Sequence, residues 1–278
     1  MAITVLTNMA SVNVRGHLER TAENYSKAVE RLASGKRINR AGDDAAGLSI
    51  ANNLEARVRS IQAARRNAQD ALSMMQVVEG GMNEVGNLVI RLRELAIQAA
   101  SDNVSDKERE MLELEVGQIR EEVERLAHGT RYFGNEVLSG SAKELVFQVG
   151  IENTEWDRIT YDSGEIDLRA STLGVDDVQL SDKDSALDSL STIENALTKL
   201  GTPRAKIGAL QFRMHSTINN LNTYEESLTA ATSRIMDADM AKEAANAVQA
   251  QVLQKTGVAV LAQANLQPTI ALRLLENF

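Results

Sequence analysis

The chain has no cysteine, two prolines and only 3% aromatic residues in 278. The missing cysteines exclude disulfides and thiolate metal sites and leave the redox compartment open. With Pro203 and Pro268 the only prolines, little interrupts a helix over long stretches. The scarcity of aromatics, set against 43% apolar content supplied chiefly by Ala, Leu, Val, Ile and Met, favours long packed helices over a β-sandwich core. No apolar run is long enough to cross a bilayer, so no membrane span is expected. Met1 to Ser11 has neither a basic n-region nor a continuous apolar stretch, which does not read as a cleaved secretory signal. His17, His128 and His215 are scattered without a His-Glu-x-x-His motif, and no carboxylate pair is marked out for acid–base work. No enzyme activity, metal or cofactor is expected.

The net charge of −9 is unevenly spread. Residues 1–66 hold 11 Lys and Arg against 6 Asp and Glu, residues 238–278 hold 3 against 3, and the stretch between them holds 16 against 30. So acidic a middle repels phosphate backbones, and nucleic acid is not an expected partner.

Periodicity supplies the architecture. Positions 61, 68, 75, 82, 89 and 96, together with 64, 71, 78, 85, 92 and 99, are all apolar. This is the 3-4 repeat of a helix packed along a left-handed seam. Extended back through Leu54 and Ile50 it makes a helix of about fifty residues, roughly 75 Å long. Gly80-Gly81 lies inside it at a cost of about 1 kcal/mol per glycine, read as close approach of another element. A second helix opens on a capping box at Ser105 and Glu108, with a seam of Leu112, Val116, Ile119, Val123 and Leu126. The alternation of Leu145, Phe147 and Val149, followed by Ile159 and Tyr161, predicts a β-hairpin between about 143 and 170. Asp176 to Asp184 reads as an acidic connector, and a third long helix starts near Asp184, which is expected to be its N-cap. Its heptad, Ile193, Leu200, Ile207, Met214, Leu221, Leu228 and Ile235, runs through Pro203 unbroken. The expected fold is therefore mainly α: a long antiparallel coiled-coil bundle with a small β-hairpin region and terminal helices forming a separate inner domain.

Both ends lie outside that bundle. Leu18, Tyr25 and Leu32, with Val29 between, form one stripe; Val248, Val252, Leu253, Val260 and Leu261 line a C-terminal helix. Short helices paired only with each other are marginal in water, so these arms are expected to be loose in the monomer and ordered by partners.

The run from Leu32 to Ala51, centred on Gly42-Asp43-Asp44-Ala45-Ala46-Gly47, resembles the N-terminal hallmark of bacterial flagellins. Ser233 to Asp239, Gln254 to Gly257 and Val260 to Asn265 resemble the matching C-terminal stretch. The similarity covers nearly the whole chain. It lacks the variable outer region of many flagellins, which about a dozen residues near 174 to 185 replace, so the chain resembles a minimal form. The resemblance implies arms at 1–44 and 238–278 forming an inner filament domain, and a helical core at 45–237. It implies a secreted subunit of the flagellar filament, used in motility and polymerising with itself. Its further partners would be the flagellar export apparatus, an export chaperone, and the hook-filament junction and cap proteins. Leu18, Tyr25, Val29, Leu32, Ile38, Ile50, Val248, Val252, Val260 and Leu261 would then meet neighbouring subunits. Between the arms and the core, Gly35 is expected to end one helix and Asp43 to cap the next. The segment Arg91 to Gln98 resembles the part of flagellins bound by the Toll-like receptor that detects the family. Arg91, Leu95 and Gln98, with Glu115 on the adjacent helix, would be its contacts. A hook-filament junction protein of the same family and a non-polymerising coiled-coil binding protein remain alternatives.

Overall fold

The computed structural model describes residues 7–141 and 143–276, with side chains as far as Leu266. Residues 1–6 and 277–278 of the two expected arms lie outside the described residues. The chain divides into two compact units, Met1–Arg57 with Ser227–Phe278, and Val58–Glu226. These divisions fall within helices, whereas the sequence placed them at the connectors near 44 and 238.

Among the described residues, six α-helices and two hairpins follow one another. They are α1 (Met9–Ser34), α2 (Ala45–Ala99), α3 (Asp106–Gly129), the hairpin β1 (Arg131–Tyr132) and β2 (Asn135–Glu136), the hairpin β3 (Glu144–Gln148) and β4 (Arg158–Asp162), α4 (Ala170–Leu173), α5 (Lys183–Met236) and α6 (Met240–Glu276). The expectation of a mainly α, coiled-coil-like fold with a small hairpin region is borne out.

In the Val58–Glu226 unit the heptads do what their spacing demands. All twelve positions of the α2 repeat are buried, as are Ile193, Leu200, Ile207, Met214 and Leu221 of α5. The two helices run antiparallel, tied by Gln62 and Arg65 to Glu225 (2.8 and 2.6 Å), Gln211 to Glu79 (2.7 Å) and Arg93 to Glu194 (3.1 Å). The α3 helix turns back along α2. Its Glu108 carboxylate accepts from the Ser105 backbone N–H at 2.8 Å, closing the expected capping box. At the same corner the buried Arg109 donates to the carbonyls of Ala99 (2.9 Å) and Ser101 (3.1 Å). It thereby satisfies carbonyls that the end of α2 leaves without helical partners, and places a cation where the dipole favours one.

The hairpin within 143–170 pairs Leu145 with Tyr161 and Phe147 with Ile159, and buries Tyr161, whose hydroxyl donates to the Val137 carbonyl at 2.7 Å. A Cβ on Gly81 would stand 2.6 Å from Leu138 Cδ1 and 3.0 Å from Thr130 Oγ1, whereas Gly80 faces open space. The close approach inferred for the double glycine thus occurs at Gly81, and the approaching element is the chain around the first hairpin.

Two local expectations are corrected. The stretch from Asp176 to Asp184 is no mere acidic connector: Val178 and Leu180 are buried in the core alongside Val175 and Leu173, while Asp176 and Asp177 stay outside. The third long helix is capped by Asp182, not Asp184, because the Asp182 carboxylate accepts from the Ser185 N–H at 2.9 Å.

Candidate assembly surfaces

In the unit containing both termini, α1 and α6 lie antiparallel. The α1 helix starts at Asn8, whose side chain accepts from the Ser11 N–H (3.1 Å) and donates to the Ala264 carbonyl (2.8 Å). Midway, Leu18 covers Gly257 so closely that a Cβ there would meet Leu18 Cδ2 at 2.8 Å. At the far end Arg31 binds the buried Glu243 carboxylate at 3.2 Å. Most buried and half-buried positions of α1 fall at 11, 18, 25 and 32 and at 14, 21 and 28, with 16, 30 and 31 beside them; those of α6 with described side chains fall at 243, 250, 257 and 264 and at 247, 254 and 261. Both helices therefore carry a true heptad seam.

That register corrects the reading of the arms. Leu18, Tyr25 and Leu32 are half-buried on the seam positions of α1, so this stripe already has a partner within the chain. The α6 seam is built from Ala247, Ala250, Gly257 and Ala264, with Leu261 half-buried among them. An alanine-and-glycine heptad carries little hydrophobic contrast, and the larger valines nearby obscured it. Val248 (60% exposed), Val252 and Val260 point away from the seam, as does Val29 of α1. Met240, Leu253, Val258 and Leu266 are also exposed. The outward side of α6 thus carries exposed valines and leucines set among polar residues such as Lys242, Gln249, Lys255 and Gln263, while α1 covers the other side. Apolar side chains exposed in this number mark an interaction surface.

The connectors are tightly defined. Gly35 ends α1 with φ +70°, its N–H donating to the Arg31 carbonyl. The Ala238 N–H donates to the Gly35 carbonyl (2.9 Å), and Arg37 donates to the carbonyls of Met236 (2.6 Å) and Ile235 (2.7 Å). Asp44, not Asp43, caps α2, accepting from the Gly47 N–H at 2.8 Å. Asp43 instead accepts from the N–H groups of Asn39 and Arg40, both at 3.1 Å, which holds its carboxyl below the ordinary carboxylate range. Ile38 is buried beneath Gly47, where a Cβ would meet Ile38 Cδ1 at 2.9 Å, so it packs within the chain instead of facing a neighbour. Ile50 is exposed, and Gly42 has no neighbouring atom that an added Cβ would meet.

A third surface lies across α2 and α3. Arg91 donates through Nε and Nη2 to Glu115 Oε1 (2.8 and 2.7 Å) and through Nη1 to Glu94 (3.0 Å). The two carboxylates raise the affinity of its guanidinium for the proton. Gln98 is exposed on the same helix. Leu95 is not part of this surface: it is 1% exposed and belongs to the core. It flanks the α2 seam on the side that α3 covers, so heptad spacing alone did not reveal its burial.

These features define a class: a helical subunit whose terminal helices pair, yet leave a row of valines and leucines on α6 exposed. Comparison with known proteins places it further. Residues 5–143 match the bacterial flagellin N-terminal helical region, and residues 190–275 match the C-terminal helical region. The flagellin of Halalkalibacterium halodurans is 36% identical over 269 residues, covering 97% of this chain and 98% of that protein. Flagellin E of Vibrio cholerae is 30% identical over 378 aligned positions covering all of both chains. That alignment exceeds the 278 residues here, so the Vibrio protein carries segments this one lacks. Among solved structures, Bacillus cereus flagellin superposes with a TM-score of 0.50 at 26% identity, covering 56% of this chain and 88% of that one. The chain belongs to the bacterial flagellin family, in a short form without a variable outer domain.

Proposed function

We propose that this flagellin is exported as a monomer and polymerises through the outward faces of α1 and α6 into an extracellular filament. The observation that carries the reading is the set of exposed valines and leucines on the outward side of α6, Val248, Val252, Leu253, Val258, Val260 and Leu266. Completing the burial of a half-exposed valine or leucine contributes about 1 kcal/mol, so a few such contacts with one neighbour barely offset the cost of association, about 4–15 kcal/mol. Several neighbours engaging the helix at once do offset it. Contacts that repeat without closing then generate a helical filament.

The outward residues Val29, Ile50, Val248, Val252 and Val260 are the proposed subunit contacts, with Leu18, Tyr25, Leu32 and Leu261 holding the pair together beneath them. The export apparatus and an export chaperone would engage the arms before assembly, and the junction and cap proteins would meet the same faces at the filament ends. For the flagellin-detecting receptor, the surface offered is Arg91, Gln98 and Glu115. The test is removal of residues 1–44 and 238–278: the shortened chain should remain a helical monomer and fail to extend seeds.

A further inference from the structure

The filament reading accounts for the outer face of α6 but not for the aromatic side chains of the Val58–Glu226 unit. The three most exposed large apolar residues among those described are Trp156 (94%), Phe133 (86%) and Phe212 (76%). In a chain with 3% aromatics, exposing these three calls for an explanation, since rings of this kind are the usual anchors of protein interfaces.

Phe133 is a projecting knob. It occupies the first position of the two-residue turn joining β1 to β2, with φ +46°, followed by Gly134 at +80°. Positive φ at both positions is the signature of a type I′ turn, which takes Asn or Asp before Gly and which a bulky side chain seldom adopts. The ring packs only edge-on against Tyr132, centroids 4.7 Å apart. A strained position thus displays an aromatic ring that the fold does not use.

Trp156 and Phe212 line a groove of about 540 Å³ between the second hairpin and α5, together with Ile151, Tyr224 and Arg213. Arg213 has no hydrogen bond or ion pair among the described residues, and a free guanidinium beside aromatic walls favours a further ring. Phe133 is not part of this lining. Knob and groove nevertheless stand at the same height of the unit. The Tyr132 hydroxyl reaches the Asp70 carbonyl of α2 at 3.0 Å, and the ties Gln62–Glu225 and Glu79–Gln211 set the groove-lining part of α5 beside the same stretch of α2.

We propose that Phe133 of one copy inserts into the Trp156–Phe212 groove of a second copy, a lateral contact between core units that adds to assembly through the terminal helices. Knob and groove are different surfaces of one chain, so the contact is heterologous and repeats without closing. The inference rests on the filament reading for its supply of neighbouring copies.

Trp156 is the sole tryptophan, so its fluorescence reports on the groove directly. In the parent, polymerisation should move its emission to the blue and reduce quenching by acrylamide. Phe133→Asn installs a residue the turn favours, so the monomer should keep its helicity and melting temperature. Its critical concentration for polymerisation should rise about thirty-fold, the loss expected for truncating an interface anchor. Polymer forced from it at high concentration should keep solvent-exposed Trp156 emission. Phe212→Ala should raise the critical concentration alike, and the double variant should be no worse than either single. A preserved blue shift in Phe133→Asn polymer, unchanged polymerisation, or losses that add between the two sites would overturn the contact. A parent that does not polymerise would overturn the filament reading first and this contact with it, which separates the two failures.

Discussion

The adjacent glycines of α2 offer one substitution in two environments. An alanine at Gly80 meets nothing within 4 Å, so Gly80→Ala should gain the full helix-propensity difference, about 1 kcal/mol. At Gly81 the same Cβ would stand 2.6 Å from a methyl of Leu138. Leu138 is itself fully buried, and its displacement costs about 1–3 kcal/mol, as for other overpacked sites. Gly81→Ala should therefore be neutral to about 2 kcal/mol destabilising. For a unit of this size the two variants should differ in melting temperature by about 2–12 °C. Urea and thermal unfolding of both variants, followed by circular dichroism, measure the difference. Equal stabilisation by both alanines would refute the close approach and leave Gly81 without a packing role.

Asp44→Ala should lose about 1 kcal/mol with the α2 cap, whereas Asp43→Ala should leave the start of α2 intact; hydrogen exchange at Gly47 and Leu48 distinguishes them. Leu95→Ala should destabilise the core by about 2–5 kcal/mol, so a fall in receptor activation by that variant should track unfolding, while Arg91→Ala or Gln98→Ala should change activation without changing stability. His128 lies 3.0 Å from Glu136 and 3.2 Å from Glu124. Glu136, and after it Glu124, raise the imidazole above its ordinary 6.5, while His128, Ser139 and Arg131 hold Glu136 down at about 2. The histidine's contribution is complete below 6.5 and is lost as pH rises through its raised value; that of Glu136 is complete above 4.5 and is lost as pH falls toward about 2. Stability of the first hairpin should therefore peak between those limits, and His128→Gln should flatten its alkaline side. An NMR titration placing His128 at or below 6.5 would contradict this.

The long helices were legible because their seams alternate large apolar and polar residues at a fixed period, as at Met75, Met82 and Val89. The α6 seam was not, because Ala250, Gly257 and Ala264 hardly differ in hydropathy from the alanines around them. Burial at Leu95 depended on where a third helix lies, which the period of one helix does not encode. Asp43 and Asp44 are chemically alike, and only the turn before α2 decides which carboxylate meets the free N–H groups. The first hairpin escaped notice because its strands are two residues each and its turn carries Phe133 where Asn would have signalled it. In the candidate surfaces, the exposed valines of α6 were found from their size, but the division between residues that pair the arms and residues that face outward needed the register of α1 on α6.

Filament growth should depend on the outward faces of the α1–α6 pair. Electron microscopy of seeded growth tests this dependence most directly, comparing the full chain with a variant carrying Val248→Ser, Val252→Ser and Val260→Ser, which alters the outer face and spares the seam. The full chain should give long filaments and the variant none, with equal helicity in the two monomers. Filaments of normal length from the folded variant would contradict that dependence.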